Sequence, residues 1–492
     1  MIKDVKVDES NLNDRVLPNI WISLIPVVVL VLMVTISIVL FGDDSLNGAN
    51  QISLLVSTGV CVCLSMWIYD SPWSKFEKAI KNTIGGASVS IIILLIIGML
   101  SGAWMISGVV PTMIYYGIQI MSPKFFLVST CAICALVSVM TGSSWTTIAT
   151  IGMAFLGIGD ALSVPNYWTA GAIISGAYFG DKISPLSDTT VLASSSAGVD
   201  LFSHIRYMLY TTTPSMIITL AIFFIAGFWF DGASVPNVSL YTDGLKSVFN
   251  ISLWTLLVPL ITAIMIYKKI SSLITLFVSA LVAGVMALVM QSETLLEISG
   301  VEEGETLDII RGLMTTFFGS TSVETNNSAL NDLVSTGGMA GMMPTVWLIL
   351  CAMCFGGVMV ASQMLQSITS VVLRWVKSCV GLVSSTVVSG LMMNLATSDQ
   401  YISIILTANM YKKMYDENGY ESRLLSRTTE DAVTVTSVLI PWNTCGMTQA
   451  TVLGVPTLAY LPYCFFNYIS PLMSILVAAI GWKIKRISLP IR

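Results

Sequence analysis

The chain has 492 residues, of which 55% are hydrophobic and only 10% charged, and its formal net charge is −5 at pH 7. Uncharged runs long enough to cross a bilayer recur along it, which excludes an ordinary soluble domain and is typical of a polytopic membrane protein. Because a backbone in lipid must satisfy its own hydrogen bonds, we predict an all-α fold with about 10 to 13 membrane segments.

The first of these segments is the uncharged run from residue 21 to 41. Its length matches a full membrane span and it lacks a small-residue cleavage site, so we interpret it as a permanent helix, preceded by a tail of residues 1–19. Basic residues gather between the predicted spans and at the end of the chain, at 75–81, 268–269, 412–413 and 483–492. By the positive-inside rule, both termini are predicted to be cytoplasmic.

The two halves of the chain are related by an internal repeat with a shift of 256 residues. The shift superposes Thr141 on Thr397, Pro185 on Pro441, Gly198 on Gly454 and Tyr207 on Tyr463. We therefore predict a first half, a connecting span with an amphipathic linker, and a second half, at residues 20–267, 268–332 and 333–482.

Each half contains two hydrophobic arms joined by a polar tip, at residues 125–157 and 381–411. The tips are the segments 141–144 and 397–399. An arm of about 12 to 17 residues, at about 1.5 Å per residue, is short for a bilayer. We therefore predict re-entrant helical hairpins that reach the middle of the membrane.

A proline interrupts a predicted helix after each hairpin. Pro185 lies within the predicted helix 166–197, and Pro441 lies within the predicted helix 428–453. Proline removes a backbone donor and disfavours helical geometry at the residue before it. Paired interruptions in two halves are typical of the discontinuous helices that form transporter binding sites.

Around the first interruption, carboxylate and hydroxyl oxygens lie close together in sequence, and such oxygens are suited to a small hard cation such as Na⁺. The predicted cation and proton site comprises Asp188, Ser184, Ser187, Thr189 and Asp181, faced by Thr141, Gly142, Ser143 and Ser144 of the first tip. The predicted Na⁺ ligands are Asp188, Ser184 and Ser187. A buried carboxylate can hold a proton or a cation in turn, and Asp188 is the first choice for this role, ahead of Asp181 and then of Asp399 and Asp431.

The second interruption offers a similar set of oxygens with less charge. The predicted second cation or substrate site comprises Asn394, Thr397, Ser398, Asp399, Pro441, Asn443 and Thr444. Thr444 occupies the position that corresponds to Asp188. This asymmetry predicts one charged cation site and one more neutral site, for another Na⁺ or for an organic solute.

Other charged residues near the interruptions have structural interpretations. Lys182 can pair with a distant carboxylate. Glu430 and Asp431, together with Arg427, would begin the second broken helix, where acidic residues favour the helix dipole. His204, near the start of a span, fits an interfacial anchor better than a proton relay.

The sequence contains no Walker-type phosphate loop, metal-ligand cluster or nucleophile elbow, and it has one histidine. ATP-driven pumping and enzymatic chemistry are therefore disfavoured, and no cofactor or nucleic-acid partner is predicted. A cation channel is an alternative, but duplicated and asymmetric polar sites fit alternating access better.

Five segments together resemble the NhaC family of sodium/proton antiporters, which is grouped with the ion-transporter superfamily. They are TGSSWTT, GDKISPLSDTTVLASS, DLFSHIRYMLYTTTPS, LLSRTTEDAVTVTSVLIPWNTCG and FNYISP. The likeness extends from about residue 20 to 482. The resemblance implies inverted-topology repeats, two re-entrant hairpins, two discontinuous helices, a homodimer in membrane lipid and an elevator-type motion.

The residues and the resemblance together predict a secondary active transporter of a prokaryotic inner membrane that exchanges Na⁺, or Li⁺, for H⁺. The resemblance also extends to carriers that exchange malate for lactate and to amino-acid carriers. Coupled transport of a small organic acid or amino acid is therefore the alternative. No arginine lies beside either polar tip to bind a carboxylate, but the helix N-termini at the tips can do so.

Overall fold

The computed structural model describes residues 17–42, 48–230, 236–301, 305–325, 330–331, 334–372 and 378–486. Most of the two predicted tails, residues 1–16 and 487–492, lies outside these ranges. Within the described ranges the regular secondary structure is helical, apart from two isolated β-bridges, and the all-α prediction is confirmed.

Twelve α-helices lie within the described part of residues 20–267. In chain order they are α1 (Ile20–Phe41), α2 (Ala49–Tyr69), α3 (Trp73–Ile106), α4 (Val109–Ile120), α5 (Pro123–Thr141), α6 (Ser144–Thr147), α7 (Met153–Ala161), α8 (Asn166–Ile183), α9 (Asp188–Ala197), α10 (Leu201–Gly227), α11 (Pro236–Val248) and α12 (Leu257–Tyr267). A π-helical segment, Ile148–Gly152, continues α6 into α7. The sequence suggested that the lysines at 75–81 lie in a loop between spans. They lie instead on the first turns of α3.

The connecting region contains α13 (Ser272–Met290), α14 (Ser292–Ser299) and α15 (Thr306–Phe318). Helix α15 lies in the predicted amphipathic linker and carries apolar residues on both its packed and its exposed side. Its residues Leu313 and Phe317 pack against the core, whereas Ile310 and Met314 are exposed.

The second half repeats the pairing of a long helical hairpin with an interrupted helix. Its helices are α16 (Met343–Ala361), α17 (Met364–Val372), α18 (Cys379–Thr397), α19 (Gln400–Glu417), α20 (Ser422–Thr429), α21 (Thr444–Leu453), α22 (Thr457–Tyr460) and α23 (Phe465–Ile480). Helix α20 continues into a π-helical segment, Glu430–Thr434, and then a short 3₁₀ turn, Ser437–Leu439.

Eight helices of the described residues are long and apolar enough to cross a membrane, or up to ten if each of two bent helix pairs counts as one span. The predicted range of about 10 to 13 segments therefore overlaps with this count only at its lower end. Helix α1 shows why the chain needs lipid. Only a narrow stripe from Ser23 to Ser37 is buried against the protein, while the apolar Trp21 and Val39 are 76% and 78% exposed.

The hairpin arms are longer than the sequence suggested. Helix α5 has 19 residues, and its partner arm runs from α6 through the π-helical segment to the end of α7. In the second half, α18 has 19 residues and α19 has 18. At about 1.5 Å per residue, arms of this length can reach across a hydrocarbon core. The arms are therefore longer than the predicted length of about 12 to 17 residues, while their re-entrant path stays a prediction.

Helix α8 packs along α5 at very short range. A side chain at Gly176 would collide with the carbonyl oxygen of Cys131, and one at Gly180 would collide with that of Ala135. Small residues allow such close backbone approach, which is how helices pack in lipid. The contact holds the first hairpin against the first interrupted helix.

Candidate functional site

The two interrupted helices break at corresponding places. Helix α8 ends at Ile183 and α9 begins at Asp188, so that Pro185 lies in a short non-helical segment. In the second half, the break after Leu439 includes Pro441, and α21 begins at Thr444. Each new helix is capped by a polar side chain, since Ser187 accepts from the backbone N–H of Thr190 and Asn443 from that of Cys445.

The two hairpin tips also share one local geometry. Gly142 and Ser398 both have left-handed backbone conformations, with φ of 65° and 59°. The hydroxyl of Thr141 lies 3.2 Å from that of Thr147, and the hydroxyl of Thr397 lies 2.7 Å from that of Ser403. Positions 256 residues apart therefore adopt the same turn, which supports the duplication inferred from the sequence.

The first tip and the first break meet at Asp181. Ser144 of the tip donates a hydrogen bond to Oδ2 of this carboxylate at 2.7 Å, and Ser187 of the break donates to Oδ1 at 2.6 Å. Only 5% of Asp181 is exposed. The carboxylate that the sequence ranked second is therefore the one on which both polar segments converge.

The other residues predicted for this site have different surroundings. Asp188 is exposed and lines a cavity at the first turn of α9. Ser184 donates to the carbonyl oxygen of Val139 at 2.8 Å, which ties the break to the hairpin arm. Thr189 is buried and lies behind Ser187, with 3.0 Å between the two hydroxyl oxygens.

A cavity of about 530 Å³ opens onto this group of residues. From the predicted first site it is lined by Thr141, Gly142, Ser143, Asp181, Asp188 and Thr189. The second hairpin contributes Gln400 and Tyr401, and the opposite wall is formed by residues of α3 and of the turn from α12 into α13, including Lys269. The cavity therefore lies between the first break, both hairpins and a set of flanking helices.

The polar residues predicted for the second site do not line this cavity and are instead hydrogen-bonded to one another and to nearby backbone groups. Asp399 caps α19 by accepting from the N–H of Ile402 at 2.9 Å, and it accepts from the hydroxyl of Thr444 at 3.3 Å. The backbone N–H of Thr444 donates to the carbonyl oxygen of Ser398 at 2.9 Å. The second tip thus meets the second break, as the first tip meets the first.

The amides of the second set bridge neighbouring backbone. Asn394 donates to the carbonyl oxygen of Val433 at 2.7 Å, and Asn443 donates to that of Asn394 at 3.2 Å. Pro441 is half-buried in the break. These contacts fix the shape of the second break, and Asp399 supplies its carboxylate.

A buried ion pair joins the two halves. The sequence suggested that Lys182 takes part in such a pair but did not identify its partner. Lys182 donates to Oδ1 of Asp431, and neither side chain is exposed. Lys182 also donates to Ser470 at 2.8 Å, and Thr211 donates to the same oxygen of Asp431 at 3.1 Å. The expected pairing of Lys182 with a distant carboxylate is confirmed.

The expectation that Glu430 and Asp431 open the second broken helix is wrong. Helix α20 begins at Ser422, so both residues lie beyond its second turn, in the π-helical segment, and are fully buried. The helix dipole acts only within the first turn and does not explain them. Oε1 of Glu430 accepts from the hydroxyl of Thr189 at 3.1 Å, which brings a further carboxyl to the first break.

Two further residues of this region, Arg427 and His204, are more deeply buried than the sequence interpretation expected. Arg427 is fully buried, 3.9 Å from Asp431 and over the ring of Tyr207. His204 is also buried, with Nδ1 2.8 Å from the hydroxyl of Ser426, so it is not an interfacial anchor. A charge beside a long apolar run is a functional candidate by default, and that signal was available at Glu430 and Asp431.

Comparison with known proteins identifies the family of the chain. A family model described as Na⁺/H⁺ antiporter family matches residues 15–207 and 176–482. The chain is 36% identical over 429 residues to the Na⁺/H⁺ antiporter NhaC of Bacillus subtilis, with 87% of this chain and 91% of the relative covered. It is 37% identical over 413 residues to the Na⁺/H⁺ antiporter NhaC of Alkalihalophilus pseudofirmus, with 83% and 86% covered.

A third relative transports organic acids. The chain is 33% identical over 456 residues to the malate-2H⁺/Na⁺-lactate antiporter of Bacillus subtilis, with 92% of this chain and 94% of the relative covered. All of these matches span most of both chains. The resemblance seen in the sequence is thereby confirmed, and the chain belongs to the Na⁺/H⁺ antiporter family.

Proposed function

We propose that this chain is a secondary active transporter that exchanges Na⁺, and Li⁺ as a similar ion, for H⁺ by alternating access. The observation that carries the proposal is the convergence of Ser144 and Ser187 on the buried carboxylate of Asp181. A carboxylate and hydroxyl oxygens suit a hard monovalent cation, which rotation of the two hydroxyl hydrogens would admit. A proton on Asp181 and a cation at Asp181 would then exclude each other.

The charges around Asp181 support a monovalent occupant. Asp181, Glu430 and Asp431 are buried there together with the cationic Lys182 and Arg427. The group therefore has one more carboxyl than it has cations. Because an uncompensated buried charge is costly, one proton or one Na⁺ balances the group.

Asp188 has a different place in the proposal from the one that its sequence context suggested. It is exposed in the cavity, whereas Asp181 is buried. A carboxylate in a cleft raises the local concentration of cations. We propose that Asp188 attracts Na⁺ and that Asp181 holds it.

The test is proton movement in proteoliposomes under an imposed Na⁺ gradient, followed with an internal pH dye. The wild type is expected to show saturable, Na⁺-dependent proton movement, and Asp181→Asn is expected to reduce it to the background of empty liposomes. Asp416→Asn, on the exposed end of α19, is the matched control and is expected to keep the wild-type rate. Near wild-type exchange by Asp181→Asn would overturn the assignment of the site.

A second candidate function is Na⁺-coupled transport of a small carboxylate. The cavity of about 530 Å³ is much larger than a bare Na⁺ and falls in the range of small-molecule sites. Lys269 lines it and provides a cation for a carboxylate, and a relative of the chain exchanges malate for lactate.

Malate and lactate flux in the same proteoliposomes separates the two functions. Under the second function, either acid would accelerate Na⁺ movement, and Lys269→Gln would weaken this effect while the neighbouring Lys268→Gln would not. Full Na⁺/H⁺ exchange without any acid, unchanged by adding one, would exclude the second function.

We also propose that the protein resides in the inner membrane with both termini cytoplasmic, as a homodimer that moves by an elevator mechanism. The lysines at 268–269 and 412–413 support this orientation, and the family resemblance supports the assembly and the motion. Reporter fusions at each terminus test the orientation, and the mass of the detergent-solubilised protein tests the dimer.

A further inference from the structure

A chain of four oxygen atoms connects Asp181 of the first broken helix with Glu430 of the second half. Ser187 Oγ lies 2.6 Å from Asp181 Oδ1 and 3.0 Å from Thr189 Oγ1. Thr189 Oγ1 in turn lies 3.1 Å from Glu430 Oε1. All four side chains are buried, and none is more than 5% exposed.

The hydrogen atoms available to this chain can be counted. Each of the three contacts is at hydrogen-bond distance and needs a hydrogen between its oxygens. Each hydroxyl supplies one hydrogen, and an ionised carboxylate supplies none. With both carboxyls ionised, Ser187 and Thr189 would donate outward to them, and only lone pairs would occupy the contact between the two hydroxyls. A proton on either carboxyl provides the third hydrogen.

Glu430 has a strong requirement for that proton. It is fully buried, and no ion pair among the described residues includes it, because Lys182 pairs with Asp431. An ionised carboxylate that is buried without a cation is costly, and a proton or a nearby Na⁺ removes the cost.

Several elements that pack against the π-helical segment around Glu430 contain charged residues. Helices α18 and α23, which also pack there, have no charged residue within their bounds. The charged residues of the other neighbouring elements are Asp181 and Lys182 of α8, Asp188 of α9, Arg423 and Arg427 of α20, Asp431 of the segment itself, Asp399 at the cap of α19, and the exposed Lys412, Lys413, Asp416 and Glu417 farther along α19.

We propose that Asp181 and Glu430 share one proton through Ser187 and Thr189, and that this proton and Na⁺ are alternative occupants of the chain. The proposal rests on the proposed Na⁺/H⁺ exchange and adds Glu430 and Thr189 to its machinery. When the proton moves from Asp181 to Glu430, each hydroxyl accepts one hydrogen and passes its own onward. One O–H bond is thus lost at Asp181 and one is formed at Glu430.

Na⁺ takes the place of the third hydrogen. When both carboxyls are ionised, both hydroxyls donate outward, and the lone pairs of Ser187 and Thr189 are left to bind the cation. The group then has the same total charge with Na⁺ as with the proton. Binding of Na⁺ therefore releases the shared proton.

The test is the number of protons released per Na⁺ bound, measured by calorimetry of the purified full chain in buffers of different ionisation enthalpy. The wild type is expected to release about one proton per Na⁺ at a pH where the chain is protonated. Glu430→Gln supplies the third hydrogen from its amide and has no proton to lose, so release is expected to fall to none. A purely structural role of Glu430 would leave this number unchanged.

The outcomes separate the inference from the proposed function. If Glu430→Gln still releases about one proton per Na⁺, Asp181 binds the proton alone and the inference is wrong, while the exchange stands. If the wild type binds Na⁺ without any proton release at any pH, the proposed exchange fails as well.

Thr189 provides a second measurement that does not change a charge. Thr189→Val keeps the shape of the side chain but removes the hydroxyl that links the two carboxyls, whereas Thr189→Ser keeps the hydroxyl. We expect the exchange rate to fall at least about tenfold in the valine variant, and proton release per Na⁺ to fall with it. In the serine variant we expect both quantities to stay near the wild-type values. Equal exchange and equal proton release in the two variants would overturn the proposal.

Discussion

The first and the second break have similar helix caps and hairpin tips but different charges. Asp181 and Lys182 precede the first break. With the shift of 256 residues, the corresponding residues before the second break are Ser437 and Val438. Conversely, the second tip has Asp399 where the first has Ser143. Each contact between a tip and its break therefore includes one buried carboxylate, Asp181 in the first half and Asp399 of the tip in the second, but among the described residues only the first also has buried cations and two further carboxyls beside it.

This difference shows that interrupting a helix does not by itself make a charged site. At both breaks the following helix is capped by a polar side chain, Ser187 in the first and Asn443 in the second. The charges at the first break come partly from the second half, because Glu430 and Asp431 reach it from the π-helical segment. The duplicated segments account for the similar breaks and tips, and charged side chains from both halves make the first site different from the second.

The largest expected effect comes from breaking the buried ion pair, which has no counterpart at the second break. Lys182→Met removes the closer of the two buried cations beside Asp431 and leaves Arg427, 3.9 Å away, and the loss of a buried partner costs about 3–5 kcal/mol. We expect the free energy of unfolding in mixed micelles to fall by that amount. Val438→Ala, at the corresponding position, is the control and is expected to cost less, about 1–2 kcal/mol.

Replacing both partners of this pair tests the cause. The double variant Lys182→Met/Asp431→Leu removes both charges, and exchanging a buried pair for apolar residues is often neutral. Because the variant also removes the carboxylate 3.9 Å from Arg427, we expect it to recover part of the lost stability. A double variant that is less stable than Lys182→Met would show that the loss has another origin.

The next effect in size concerns the two buried carboxylates. We expect Asp181→Asn to lower the exchange rate at least about 100-fold and Asp399→Asn to lower it less than about tenfold, because only Asp181 lines the cavity. Asp188→Asn is expected to raise the Na⁺ concentration for half-maximal rate with little change in the maximal rate. Flux measured over a range of Na⁺ concentrations checks all three, and equal losses at Asp181 and Asp399 would remove the distinction between the breaks.

The smallest effect concerns the two hairpin tips. Gly142 has a φ of 65°, and a side chain there would crowd Leu186, so we expect Gly142→Ala to cost about 1–3 kcal/mol. Ser398 has a similar φ of 59° but already carries a side chain. Ser398→Gly is therefore expected to change the free energy of unfolding by less than about 1 kcal/mol, since the relieved strain and the added chain entropy oppose each other. Unfolding of both variants under one condition checks the contrast.

The sequence predicted those parts of the site that depend on neighbouring residues. Pro185 and Pro441 interrupt helices by local geometry, and the break in each helix lies where they stand. The tips were recognisable because polar residues interrupt otherwise apolar runs at the same spacing in both halves. Family membership followed from strings such as GDKISPLSDTT.

Contacts between distant residues had no such signal. Thr189 and Glu430 are separated by 241 positions, and Lys182 and Asp431 by 249. Nothing in either local sequence identifies the partner. The ranking of Asp188 above Asp181 was likewise based on its closeness to Pro185, whereas burial depends on the packing of α8 against α5 and favours Asp181. A single sequence does not reveal that packing.

The contacts around Asp181 have a mechanical consequence. Ser144, Glu430 and the pair of Lys182 with Asp431 tie the first hairpin and both interrupted helices into one block. The far wall of the cavity belongs to α3 and to the turn before α13, and α3 packs chiefly on α13 and α16. A relative movement of this block and that wall, which the proposed elevator mechanism requires, would leave the hydrogen bonds of Ser144 and Ser187 to Asp181 intact.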